Sequence, residues 1–418
     1  MKPAILLLTV SVILFAASPA LADIIVDLYG GGDYLTIAEG MSAAAPGVTV
    51  LVAPGLYTGV LNRDLSFGGK DIIVRAMPGD PVIVDAEWSG RCFIFQNGET
   101  SAARLEGIVM RRGAEYDGGG IYCAGSASPT IVECEIAECD ASRGAGMDCS
   151  GGASPTVIAC TFRDNDASSA GGGLRCNAGS SVDLQDCFFE GNSAFFGGGV
   201  MLRDGSSATV DKTVFEDNTA EYSAGLRCED STVTVTNSTF LRNDAYSGGG
   251  VGSGGVTSHV TLEYCAFVDN TASFRGAGYA CGTPANVSHC TFVGGWSPTG
   301  SGIFSGPPLG DMVMSNCIVA FGAGPAMTCD VGGAPTVSRC VFFENTGGST
   351  PCVSYSDIVY ENPWFCGLPL EDLTVNEVSV CLPENNPWGE QIGAFGAGCT
   401  GAVPVEQASW GSIKSMYR

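Results

Sequence analysis

From about Gly118 to Asn345 the chain alternates apolar and polar residues in short runs bounded by Gly, Asn, Asp and Ser. A period of two places successive side chains on opposite faces of a strand, and the runs are rich in Val, Thr and Phe, which suit a pleated surface. The runs recur in columns. Phe stands at Phe162, Phe189, Phe215, Phe240, Phe267, Phe292 and Phe342, with Ile136 and Val319 in equivalent places. Three residues further on come Asn165, Asn192, Asn218, Asn243, Asn270 and Asn345, headed by Cys139. A Gly cluster and then Gly-apolar-x-Cys complete a copy, as in Gly146-Met147-Asp148-Cys149 and Gly173-Leu174-Arg175-Cys176. Copies are spaced 23 to 28 residues apart. A strand-built period of this size predicts a solenoid of parallel coils with three short strands each, rising about 4.8 Å per coil over roughly a dozen coils. Stacking then puts Phe in the core, Asn at a bend as a ladder, and Gly at crowded corners.

The flanks differ. Lys2, the apolar run Ala4 to Ala17 and Ala20-Leu21-Ala22 read as a signal peptide removed before Asp23, so export is expected. Residues 23–117 read as an N-terminal cap and first irregular coils. Within them Tyr34 to Ala45 is helical: Thr36 and Glu39 form a capping box, and Ile37, Met41 and Ala44 share a face. Residues 118–360 are the regular repeats, 361–401 a C-terminal cap, and 402–418 a tail with Trp410, Ile413 and Met416/Tyr417 on one face, a candidate sorting signal. No segment after the signal peptide is long and apolar enough to span a bilayer. The chain holds 44 acidic and 19 basic residues, a formal charge of −25, which argues against nucleic acid and anionic membrane as partners.

The Phe-x-x-Asn and Gly-Gly-(Gly/Ala)-apolar pattern, for example Phe189 to Val200 and Phe240 to Val251, resembles the repeats of chlamydial polymorphic outer-membrane proteins. More broadly, the chain resembles the right-handed parallel β-helix, pectin-lyase-like superfamily. Tyr34-Leu35-Thr36-Ile37, Val52-Ala53-Pro54-Gly55-Leu56-Tyr57 and Asn362-Pro363-Trp364-Phe365-Cys366 carry that likeness at the two ends. It implies an all-β fold, a right-handed parallel β-helix with an N-terminal helical cap and an irregular C-terminal cap. The 73 residues after Asn345 are too few for the autotransporter barrel that ends polymorphic membrane proteins.

Enzymes of that superfamily work on the outward face of one sheet. The resemblance places there the x of Gly-apolar-x-Cys: Tyr122, Asp148, Arg175, Met201, Arg227, Gly252, Ala280, Phe304 and Thr328. Asp148, Arg175 and Arg227 are the catalytic candidates, and Arg203, Asp204, Glu229 and Asp230 the binding candidates. An Arg base with carboxylate-held calcium would suit a lyase, and paired carboxylates a hydrolase. The plainer reading, solvated residues pairing across strands, is preferred. The two histidines stand outside any catalytic motif, His289 at a variable turn position. The expectation is therefore a secreted or surface-displayed, non-catalytic protein that binds a polysaccharide or cell-surface component, with a polysaccharide lyase or hydrolase acting on an acidic polysaccharide as the alternative. Convergence of the candidates on one open patch would favour the enzyme; mutual pairing would favour the binder. Of the 19 Cys, most of those in columns are expected to be buried thiols, whereas Cys352, Cys366, Cys381 and Cys399 are the disulfide candidates.

Overall fold

The computed structural model describes residues 22–306, 311–330, 335–352, 355–367 and 372–400. The signal peptide, but for its last residue, and the 402–418 tail lie outside the described residues. The fold is a right-handed parallel β-helix. Fourteen strands stacked in parallel, from Ile24–Val26 to Tyr355–Val359, mark its levels among the described residues.

Each regular coil holds four short strands rather than the expected three. One coil comprises Met147–Cys149, Thr156–Ile158, Thr161–Arg163 and Asp166–Ala170. The first belongs to an 11-stranded sheet, the middle two to a 25-stranded one, and the last to a 7-stranded one; below these are the first, second and third sheets. The extra division is made by single residues in the left-handed region. Ala159 (φ 52°) bends the chain between the two middle strands and Asp164 (φ 53°) bends it into the third sheet. Neither bend needs more than one residue, so the apolar-polar alternation passes through them without a visible break.

Each bend is followed by an inward residue that satisfies the backbone there. Asn192 Nδ2 donates to Phe162 O at 2.9 Å and to Asn218 Oδ1 at 3.0 Å, and the same Oδ1 accepts from Asn192 N at 3.0 Å. This pattern continues through Asn165, Asn218, Asn243 and Asn270. It is the ladder expected from the Asn column. Asn218→Ala should strand the buried N–H groups of Asn192 and cost about 1–3 kcal/mol; a denaturant midpoint equal to the parent's would show the ladder to be dispensable.

The Cys column follows the other bend and works similarly. The amide of Cys134 meets Cys160 Sγ at 3.4 Å, that of Cys187 meets Thr213 Oγ1 at 3.4 Å, and that of Thr213 meets Ser238 Oγ at 3.1 Å. Thr213 and Ser238 therefore replace Cys without loss of the contact: the slot requires a small side chain ending in an acceptor, not merely a small one. These thiols are free and buried, and burial pushes Cys187 up to about 11, which keeps it protonated and unreactive.

A single file of rings runs up the core among Val, Leu, Ile and Cys side chains. Phe162, Phe189, Phe215, Phe240, Phe267 and Phe292 are buried and nearly parallel, with centroids 4.5–5.1 Å apart. In-register stacking of identical residues imposes this geometry. The lower end is closed by the helix Ile37–Ala43, whose N-cap Thr36 bonds Glu39 and whose Ile37 and Met41 join the core. At the other end Phe365, Val375, Leu382 and Ile392 form a second cluster with Val341. Cys366–Cys399 and Cys329–Cys352 are disulfides. Cys381, expected among the bonded cysteines, is instead a free thiol buried in that second cluster, where apolar packing takes the place of a bond.

Candidate functional site

The strands of the first sheet stack in the register the columns require, Tyr122 on Asp148, Asp148 on Arg175, Arg175 on Met201, Met201 on Arg227 and Arg227 on Gly252. This outward face is nevertheless mostly buried. From the third sheet the chain enters the first through a left-handed glycine, Gly144, Gly171 or Gly197, with φ of 59°, 66° and 64°. A Cβ on Gly144 would lie 2.9 Å from Asp148 Cβ, and one on Gly197 would lie 3.0 Å from Met201 Cβ. The corner therefore folds down over the face. Just before the corner runs a column, Asp117, Arg143, Ala170, Phe196, Tyr222, Ser247 and Arg275.

Two of the catalytic candidates are used up by one another. Arg175 Nε lies 2.5 Å from Asp148 Oδ1, and the two side chains are 3% and 0% exposed. Arg175 also reaches Asp117 at 3.4 Å, which Arg143 holds at 2.6 and 2.8 Å. Burial pushes the Asp148 carboxyl above the usual carboxylate range, against the pull of Arg175. An acid with a raised pKa suits proton donation, but no substrate atom can reach a side chain so enclosed. Sequence reasoning missed Asp117 and Arg143, although their shared place before a corner glycine makes them a column.

Arg227 is different. It stands two coils beyond Arg175, across Met201. Its guanidinium lies over Gly252 and Gly254, where a Cβ would come 3.5 Å from one terminal nitrogen and 2.4 Å from the other. Glu229 is its nearest carboxylate, at 3.8 Å, beyond hydrogen-bonding range. Arg227 Nε and the hydroxyl of Ser223 are both buried without partners. Burial lowers the guanidinium's pKa from the ordinary arginine value, against the pull of Glu229. The side chain is 16% exposed, so the cation is set into the face yet open to it.

The binding candidates do not converge there as a group. Arg203 pairs with its neighbour Asp204 at 3.1 Å, both exposed. Asp230 accepts from the amides of Val256 and Thr257 at 2.8 and 3.2 Å and so shapes the next turn. Only Glu229 adjoins Arg227. Of the histidines, His289 occupies a left-handed bend (φ 51°), bonds Asn316 at 3.1 Å and stacks on Tyr264. Among the described residues, no group of three or more His, Cys, Asp or Glu side chains is placed to hold a metal ion, and no helix is long and apolar enough to cross a membrane.

Residues 94–255 match the family model described as a right handed beta helix region. No curated protein matches the chain. Among solved structures it is similar to the pectate lyase Pel9A, at 13% identity and a TM-score of 0.47, over 87% of this chain and 92% of that one. It is also similar to a mannuronic acid specific polysaccharide family 6 lyase from human gut microbiota, at 16% identity and a TM-score of 0.44, over 77% and 81% of the two chains. A third is the catalytic unit of the thermostable GH87 α-1,3-glucanase from Streptomyces thermodiastaticus strain HF3-3, at 13% identity and a TM-score of 0.39, over 88% of this chain and 65% of that one. The stacked parallel sheets and the match over 94–255 agree that the chain is a right-handed β-helix protein. The likeness to polymorphic outer-membrane repeats draws no support from these comparisons.

Proposed function

We propose that the protein acts on an acidic polysaccharide at Arg227. The observation that carries this reading is a guanidinium set into the outer face of the first sheet with no carboxylate hydrogen-bonded to it, beside a buried hydroxyl that also lacks a partner. A partly desolvated cation that lacks a hydrogen-bonded carboxylate is matched by an anion with two oxygens, such as a uronate carboxylate. Neutralising that carboxylate makes the adjacent C–H more acidic. Glu229 stands beside it to take the proton; the C–O bond to the next sugar then breaks, its electron pair leaves with the oxygen, and a C=C bond forms in the ring. This is β-elimination, and it needs no other reactant. The formal charge of −25 opposes a polyanion at long range, so the attraction is local and turnover should rise with added salt.

Incubating the full chain with polygalacturonate and alginate should release unsaturated products, seen by ultraviolet absorbance. Arg227→Ala should slow this by about a hundredfold with an unchanged unfolding midpoint. Release of no product from any polyuronate would sink the lyase reading. The second reading is a non-catalytic binder, and one observation favours it: Asp148 and Arg175 are paired and enclosed, and so offer no acid or base to a substrate. Retention of a polyuronate without cleavage, lost in Arg227→Ala, would select it. Either way Arg175→Ala is a poor activity probe, because it removes half of a buried pair.

A further inference from the structure

The third sheet carries a run of aromatic rings that the core does not use. Phe195 and Phe196 stand on one coil, and Tyr222, Tyr246 and Phe274 on the three that follow. Each ring touches the next. Centroids are 4.7 Å apart for Phe195–Phe196, 5.4 Å for Phe196–Tyr222, 6.1 Å for Tyr222–Tyr246 and 5.1 Å for Tyr246–Phe274. Unlike the core column, Phe195, Tyr246 and Phe274 are 47%, 39% and 36% exposed. The Arg275 guanidinium extends the run, 4.4 Å over Phe274 and 4.6 Å over Phe304. A continuous line of touching rings, three of them exposed and Phe196 and Tyr222 half-buried between them, is a surface that single scattered apolar residues do not make.

A hollow of about 400 Å³ lies against this line. Ala194, Ala220 and Ala245 leave the room for it, Tyr246 forms one wall, and Glu221 and Asp244 supply exposed carboxylates. No Lys or Arg is among the described residues that line it. The chemistry selects one kind of occupant. Flat rings offer faces to the C–H side of a pyranose, and carboxylates accept hydrogen bonds from hydroxyls. In the hollow two carboxylates without a cation repel a polyuronate, and Arg275 lies beyond it at the end of the line, 3.5 Å from Asp330. The rings recur once per coil, about every 4.8 Å, close to the advance of one sugar in an extended chain.

We propose that this face is a binding track for an uncharged polysaccharide lying along the solenoid axis. The track does not depend on Arg227 or on any cleavage there. Affinity electrophoresis of the full chain, in gels carrying a soluble β-glucan, a galactomannan or a cationic chitosan, tests it. At least one of the two uncharged polymers should retard the protein. Tyr246→Ala/Phe274→Ala should weaken that retardation by roughly tenfold, whereas Tyr246→Phe keeps the ring and should retain most of it. Glu221→Gln, which changes no shape, should weaken it several-fold and decides the matter should the double variant fail to fold. Retardation by neither uncharged polymer, retardation by chitosan alone, or equal behaviour of the parent, Glu221→Gln and the folded double variant would overturn the track. Since the Arg227 reading is scored by products from polyuronates, failure of one leaves the other standing.

Discussion

Arg175→Ala should destabilise the protein by about 3–5 kcal/mol, because it leaves a buried carboxylate without its counter-charge. Asp148 is fully enclosed, its Oδ1 is held by Arg175, and its Oδ2 has no partner. Asp117 loses less, since Arg143 still holds it. The deficit should depend on pH. Burial already pushes the Asp148 carboxyl upward, and Arg175 is the main force pulling it down. Without Arg175 the folded-state value rises further above that of the unfolded chain. A carboxyl raised on folding contributes stability when protonated and loses that contribution as pH rises through the folded value. The difference between variant and parent should therefore be largest at neutral pH and shrink as the solution is acidified toward the ordinary carboxylate range. Denaturant midpoints across a pH series measure it, and a deficit that does not move with pH would refute a charge-based cause. Asp148→Asn/Arg175→Met should recover most of the loss, because a paired replacement strands no charge.

Phe215→Ala should cost about 3–5 kcal/mol. Phe215 sits midway in the stack, 5.1 Å from Phe189 and 4.7 Å from Phe240, and is fully buried. The cavity cannot close by collapse, because backbone bonds hold the coils above and below at the strand spacing. Phe215→Leu refills part of the volume and should cost less than half as much. Phe195→Ala, on the exposed line of rings, should shift the midpoint little. Urea unfolding with an unchanged slope compares the three; a small loss at Phe215 would mean that the stack tolerates a gap and that the backbone ladder, rather than the rings, sets its stability.

The repeat columns were legible because stacking in register places like residue on like. Phe in the core, Asn at one bend, acceptor-tipped Cys, Thr or Ser at the other, and Gly at the corner each follow from a local need repeated at every level. The capping helix was legible from Thr36, Glu39 and its apolar face. The four-strand coil was not, because Ala159 and Asp164 bend the chain in the left-handed region without interrupting the alternation. Nor was the pairing at the C-terminal end, where Cys381 packs while Cys329 bonds Cys352.

The candidate site divides in the same way. That Asp148, Arg175, Met201 and Arg227 share one outward column follows from the sequence spacing alone. Whether that face is open does not, because it depends on a different column, from Asp117 to Arg275, that the glycine corner swings across it. Tertiary structure decided that Arg175 is spent on Asp148 while Arg227 stands over two glycines without a hydrogen-bonded carboxylate. It also decided that rings about one repeat apart in the chain become neighbours along the axis. The sequence determines what each level needs internally, since those needs repeat. What the outer surface can bind arises between levels, from residues that do not repeat and meet only when the coils stack.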